Sequence, residues 1–130
     1  MHQMSRQEFE RMVSDGMKAI PERFLRKLNN LAIVIEDEPT TEQKKKLKMR
    51  ANWILFGLYE GVPQISRGSH YGLVVPDKIT IFQKPIEAEA DSKKEIKKMV
   101  EKTIWHEIAH HFGMDEIRVR QAEKKKKIFQ

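Results

Sequence analysis

The sequence lacks cysteine entirely over its 130 residues. This absence excludes disulfide bonds, and it also excludes the thiolate ligands that hold zinc in finger-type sites. Any metal ion bound by this chain would therefore need histidine, aspartate or glutamate side chains as its ligands.

Long apolar runs are missing as well. No stretch approaches the roughly 18 consecutive apolar residues that a membrane-spanning helix needs. The first residues, Met1 to Arg6, lead into a charged amphipathic segment and do not resemble a secretory signal peptide. We therefore expect no membrane association and a cytoplasmic location.

The balance of charge is basic, with 25 lysine and arginine residues against 19 aspartate and glutamate residues and a net charge of +6. Such a balance suits RNA or acidic partners, but lysine runs more often form only a solvated surface. With 39% hydrophobic and 34% charged residues, the composition is that of a globular protein. The length predicts one domain, residues 1–130, with a basic tail over about 118–130.

Apolar spacing predicts two helices and a strand in the first part of the chain. Phe9, Met12, Val13 and Met17 form one face of a helix over about 5–19. Pro21 suits the first turn of a second, short helix. The β-branched run 31–35 predicts a buried strand. Residues 41–50 are lysine-rich and are either an exposed helix or a linker.

The middle of the chain is less regular. Residues 53–59 are apolar and could form a helix or a strand, whereas glycines make residues 60–73 a long loop. A short strand over 73–75 should follow. Residues 78–83 alternate in polarity, which predicts a strand with one exposed face that ends before Pro85.

The clearest element is a helix that begins after a capping box formed by Ser92 and Glu95. Its apolar residues keep helical spacing as far as Phe112, and Gly113 is a natural cap for its carboxyl end. A final helix should begin at about residue 115. The expected fold class is α+β, with a small mixed sheet packed against this helix and further helices at both ends.

Within that helix lies the segment His106-Glu107-Ile108-Ala109-His110. Histidines four residues apart share a helix face, so both imidazoles can reach one zinc ion. In this pattern the intervening glutamate, here Glu107, hydrogen-bonds a zinc-bound water and takes its proton. The segment therefore predicts a zinc-dependent hydrolase with Glu107 as its catalytic residue.

A catalytic zinc needs a third protein ligand and an open position. Gly113 lies seven residues after His106 and can turn the chain back, which brings Glu116, ten residues after His106, beneath the metal. Asp115 is the alternative ligand, since a small shift of the turn would exchange the two acids. The predicted site is one zinc ion per chain, held by His106, His110 and Glu116.

The segment from Thr103 to Gly113 resembles the minimal zincin family of short bacterial metallopeptidases. The resemblance extends from about Phe9 to Glu116, because several further segments match that family in order and spacing: Leu31 to Pro39, Phe56 to Pro63, Arg67-Gly68, and Pro76 to Ile86. The family implies a compact α+β zincin-like fold with an HExxHxxGxx(D/E) zinc site. It also implies that the two histidines and the acid at position 116 are the ligands.

A donor that stabilises the developing oxyanion cannot be chosen from the sequence. Arg67, His70 and Tyr71 are candidates because they fall in the long loop, and His111 is a weaker one beside the helix face of the motif. Residues 59–61 could border the cleft or form a plain turn.

Three functions remain open at this point. The leading one is hydrolysis of peptide bonds in a peptide or protein substrate. A zinc-dependent endoribonuclease is the second, since small basic bacterial endoribonucleases carry a similar helix, although an acid at position 116 would repel phosphate. A non-catalytic binding domain stabilised by zinc is the third, and it would need a fourth protein ligand.

Overall fold

The computed structural model describes residues 1–26, 31–49, 54–61 and 77–111. The greater part of the predicted loop, the short strand at 73–75, the Gly113 cap, the final helix and the basic tail lie outside these residues. In the described part of the chain, no helix is long and apolar enough to cross a membrane.

Three strands form one mixed sheet. They are β1 (Leu31–Glu36), β2 (Gly57–Glu60) and β3 (Asp77–Phe82), and their order in the sheet is β1-β3-β2. β1 pairs with β3 in parallel, whereas β2 pairs with β3 in the antiparallel direction. The undecided apolar segment before Gly61 thus ends in a strand, and the predicted class of an α+β fold with a small mixed sheet is confirmed.

The burial of two strands differs from the expectation. β1 was predicted to be buried, but its apolar residues are only half-buried because it lies at the outside of the described sheet. β3 was predicted to expose one face, but it is the central strand and both of its faces are covered. Thr80 and Phe82 are buried on one face and Ile79 and Ile81 on the other, which leaves only Lys78 exposed.

The helices of the first half begin at recognisable caps. α1 (Arg6–Lys18) is capped by the Ser5 hydroxyl, which accepts a hydrogen bond from the backbone N–H of Glu8. In α2 (Glu22–Leu25), Pro21 is the N-cap and not a residue of the first turn. α3 (Thr41–Lys46) begins with a capping box between Thr40 and Gln43, so the lysine-rich segment is a helix.

Two helices follow β3. The first, α4 (Gln83–Glu89), was missed by the sequence analysis, in which Pro85 only ended a strand. Proline fits there because it lies in the first turn, where backbone N–H groups have no partner within the helix. The second, α5 (Lys93–His111), is the predicted long helix.

The start of α5 is close to the expected capping box. The Ser92 hydroxyl accepts a hydrogen bond from the backbone N–H of Glu95 at 3.1 Å. The Glu95 carboxylate accepts a hydrogen bond from the backbone N–H of Asp91 at 2.7 Å. In a standard capping box the donor would be the next backbone N–H, that of Ser92.

The core lies between α5, the sheet and α1. Helix α5 contacts the sheet on one flank and α1 on another. The side chains of α5 that face this core are fully or almost fully buried: Ile96, Val100, Ile104, Trp105, Ile108 and Ala109. The ring of Phe24 stands edge-on to that of Trp105, with centroids 5.0 Å apart. These contacts fix the rotation of α5 about its axis, and so they fix which residues face outward.

Candidate active site

The three motif residues of helix α5 flank its core-facing side, and Glu107 points toward strand β2. Ile104, Trp105, Ile108 and Ala109 are buried, whereas His106 and Glu107 are half-buried and His110 is exposed. The two histidines are one helical turn apart, since both belong to the same continuous helix. The helical spacing places the two histidines on neighbouring turns, and the Nε2 atom of His106 is buried.

The Glu107 carboxylate is the best-positioned group of the motif. Its Oε1 accepts a hydrogen bond from the backbone N–H of Tyr59 in β2 at 2.8 Å. The same oxygen lies 3.7 Å from Nδ1 of His110. The side chain of Glu107 is only 12% exposed, compared with 52% for that of His110. Glu107 is therefore held between the sheet and the histidine face of α5.

Burial raises the pKa of Glu107 above its ordinary value, because the charged form loses contact with water. The nearby His110 and the Tyr59 backbone N–H both act in the opposite direction and lower this pKa. The upward shift prevails. A carboxylate with a raised pKa is a better proton acceptor, which suits a general base.

Strand β2 can approach α5 so closely because residue 57 is glycine. A Cβ atom on Gly57 would overlap Cγ2 of Thr103, and it would lie 3.3 Å from both Cγ of Glu107 and the backbone oxygen of Thr80. The missing side chain thus allows the backbone of β2 to lie against the helix at the level of the motif. This close approach brings the Tyr59 N–H within reach of Glu107.

A cleft of about 360 Å³ opens beside the motif. Its walls come from β2 and the segment before it on one side and from α5 on the other. The described residues that line it are Leu55, Phe56, Gly57, Met99, Lys102, Thr103, His106 and Glu107. Most of the wall is apolar, and the polar groups gather at the histidine end.

The donors available for a metal ion are two imidazoles, from His106 and His110. Within the described ranges no group of three histidine, aspartate or glutamate side chains is placed to hold a metal ion. The predicted third ligand, Glu116, and its alternative, Asp115, lie outside those ranges. Imidazole nitrogen is a common zinc ligand, so these two side chains could supply part of the three-ligand set that a catalytic zinc needs.

The remaining candidates from the sequence lie outside what the structure describes. Arg67, His70 and Tyr71 belong to the segment 62–76, and the side chain of His111 is likewise not described. In the segment 59–61, Tyr59 and Glu60 belong to strand β2 and do not form a plain turn, and the described lining of the cleft does not include them.

Sequence reasoning missed Gly57, Lys102 and Thr103. The role of Tyr59 was also hidden, because it acts through a backbone N–H that every residue except proline possesses. Gly57 carried a weak signal: a lone glycine within an apolar run indicates close approach of another chain segment. Lys102 and Thr103 could have been found from their position, since they precede His106 by one helical turn.

Comparison with known proteins gives a family match and a similarity in fold. The model of a family described as zincin-like metallopeptidases matches residues 28–126. A solved structure of a conserved hypothetical protein from Thermus thermophilus is similar in fold, with a TM-score of 0.57 and 20% sequence identity. That similarity covers 84% of this chain and 94% of the other. No curated protein matches the sequence.

Proposed function

Because the chain belongs to the zincin-like metallopeptidase family, we propose that it hydrolyses peptide bonds in peptides or proteins. In this proposal one zinc ion per chain is held by His106, His110 and Glu116. The observation that supports it most is the shielded carboxylate of Glu107, which the Tyr59 N–H holds at 2.8 Å beside His110 and at the wall of an open cleft.

Zinc, when bound, acts as a Lewis acid and makes an attacking water more acidic. The chain's own residues do the rest. The Glu107 carboxylate accepts a proton from the water and returns it to the leaving amine. The Tyr59 N–H fixes one carboxylate oxygen, so the other can be aimed at the substrate. The apolar residues of the cleft wall give the substrate a surface to pack against.

Metal analysis tests the ligand set. The protein is purified without added metal, and zinc is measured in the wild type, in His110→Ala and in His2→Ala, which removes an imidazole from the distant N-terminal segment. We expect about one zinc per chain in the wild type and in His2→Ala, and a large loss in His110→Ala. Equal zinc content in all three proteins would contradict the proposed site.

Turnover is tested with the Glu107→Gln variant, which keeps an oxygen that can accept from the Tyr59 N–H but removes the basic group. Zinc-loaded wild type should cleave quenched fluorescent peptides, and the variant should retain zinc while losing activity by a factor of about 100 to 10,000. Cleavage of RNA but not of peptides would favour the endoribonuclease. Zinc retention without turnover of either substrate would favour a binding domain.

A further inference from the structure

The cleft beside the motif has one cationic side chain among the described residues that line it. Leu55, Phe56 and Met99 supply apolar surface, and Lys102 is the only lysine or arginine on this part of the wall. Lys102 is exposed, but the apolar surface beside it reduces the water around a bound anion, so an ion pair there is modestly stronger than in open water.

The spacing along α5 places this lysine close to the reacting centre. Lys102 precedes His106 by four residues, which corresponds to a rise of about 6 Å along the helix. An extended peptide advances by about 3.3–3.6 Å per residue. A carboxylate that meets Lys102 would therefore lie within about two residues of the bond that is cut.

Lys102 has no carboxylate partner among the described residues, whereas some other described lysines do. Lys93 lies 3.7 Å from Glu8, and Lys78 lies 3.8 Å from Glu60. For Lys102, no carboxylate of the described part of the chain lies within 4.0 Å, although Glu107 lines the same cleft. Its ammonium group remains available to a ligand.

We propose that Lys102 selects substrates with a carboxylate close to an apolar residue next to the scissile bond. This inference rests on the proposed peptidase function and deepens it, because it assigns a substrate class to the same cleft. The apolar residue packs against Phe56 and Met99, and the carboxylate pairs with the Lys102 ammonium. The carboxylate can come from an acidic side chain or from the free carboxyl terminus of a short peptide.

The first measurement is cleavage by zinc-loaded protein. The first pair of quenched peptides differs only in having glutamate or glutamine next to a leucine, and the pair is made with these two residues on either side of the scissile bond. A second pair of short peptides differs only in a free or an amidated carboxyl terminus. We expect the wild type to prefer the carboxylate form of at least one pair by about two- to fivefold in kcat/KM, as for an exposed ion pair. Which pair responds identifies the source of the carboxylate.

The variants separate charge recognition from a structural effect. Lys102→Ala should abolish the preference, and Lys102→Glu should reverse it in favour of glutamine or amidated peptides. Lys97→Glu is the matched control, since it changes the same net charge on an exposed part of α5 outside the described lining of the cleft. It should keep the wild-type preference. Raising the ionic strength from about 0.05 M to about 1 M should reduce the preference.

The second measurement is binding, so that the inference and the proposed function can fail separately. Calorimetry with zinc-loaded Glu107→Gln gives the Kd of each uncleaved peptide, with and without Lys102→Ala. If the peptides bind with a selectivity that depends on Lys102 but the wild type cleaves none of them, the peptidase function is refuted and the preference for carboxylate ligands is upheld. Cleavage with equal kcat/KM within every pair, or binding with no selectivity at all, would overturn the role of Lys102.

Discussion

Replacement of Gly57 by alanine would push strand β2 away from helix α5. The new Cβ would overlap Cγ2 of Thr103, and carbon atoms in contact prefer to lie about 3.5–4.0 Å apart. If strand β2 moves to relieve the overlap, it must shift by about 1 Å. The hydrogen bond from Tyr59 N–H to Glu107, now 2.8 Å, would then exceed the useful range.

The expected magnitudes follow from that displacement. Overpacking of this kind costs about 1–3 kcal/mol in the free energy of unfolding, measured by denaturant titration of metal-free protein. Loss of orientation at the general base costs a further factor of up to about 100 in kcat for a displacement of about 1 Å. Both effects should appear together, because one contact holds the strand and the carboxylate in place.

A double-mutant cycle isolates the contact. Thr103→Ser removes Cγ2 and keeps the hydroxyl, so Gly57→Ala should cost less in the Thr103→Ser background, with a coupling of about 0.5–3 kcal/mol. Gly16→Ala is the matched control, since its Cβ would crowd the end of the Ile104 side chain at 2.9 Å on the other flank of α5, away from Glu107. Its kcat should be unchanged. Additive effects in the cycle, or a Gly57→Ala protein with wild-type stability and kcat, would refute the reasoning.

Three further predictions concern stability. In metal-free protein, Glu107→Gln should raise the free energy of unfolding at neutral pH. The pKa of Glu107 in the folded protein lies above the ordinary 4.5, so the wild type loses stability as the pH rises from 4.5 through the folded-state pKa and the buried group becomes charged. This gain should shrink as the pH falls toward 4.5 and vanish well below it, where the group is protonated in both states, and a gain independent of pH would contradict the raised pKa. Ser92→Ala should cost about 0.5–2 kcal/mol in denaturant titration through loss of the α5 cap. Ser14→Ala, at an exposed site within α1, should change little, and equal losses would argue against the cap. Ile104→Val, at a fully buried site between α1 and α5, should lower the unfolding free energy by about 0.5–1.5 kcal/mol, whereas an unchanged value would mean that this contact is loose.

Helix α5 could be predicted because its determinants are local. The Ser92 hydroxyl, the spacing of Ile96 and Val100, and the histidines four residues apart all lie within one continuous segment. Such signals depend only on helical geometry, so they survive without knowledge of the remaining fold.

The partners of α5 could not be predicted in the same way. β2 has four residues, and its apolar run suits a helix as well as a strand. Its identity is decided by antiparallel pairing with β3, which lies well beyond it in the chain. The contact between Tyr59 and Glu107 spans 48 residues and uses a backbone N–H, so no residue type reveals it. α4 was missed because Pro85 was interpreted as a stop and not as a first-turn residue.

The position of Glu107 balances two opposing demands on a general base. Burial raises its pKa and so increases its affinity for a proton, but it also destabilises the folded protein whenever the group is charged. The Tyr59 N–H offsets part of that cost, and it does so at one oxygen, which fixes the direction of the carboxylate. A side-chain donor could supply the same hydrogen bond but would add rotamers of its own, whereas a strand N–H is rigid. Gly57 makes this solution possible, because only a strand without a side chain at that point can lie close enough to α5.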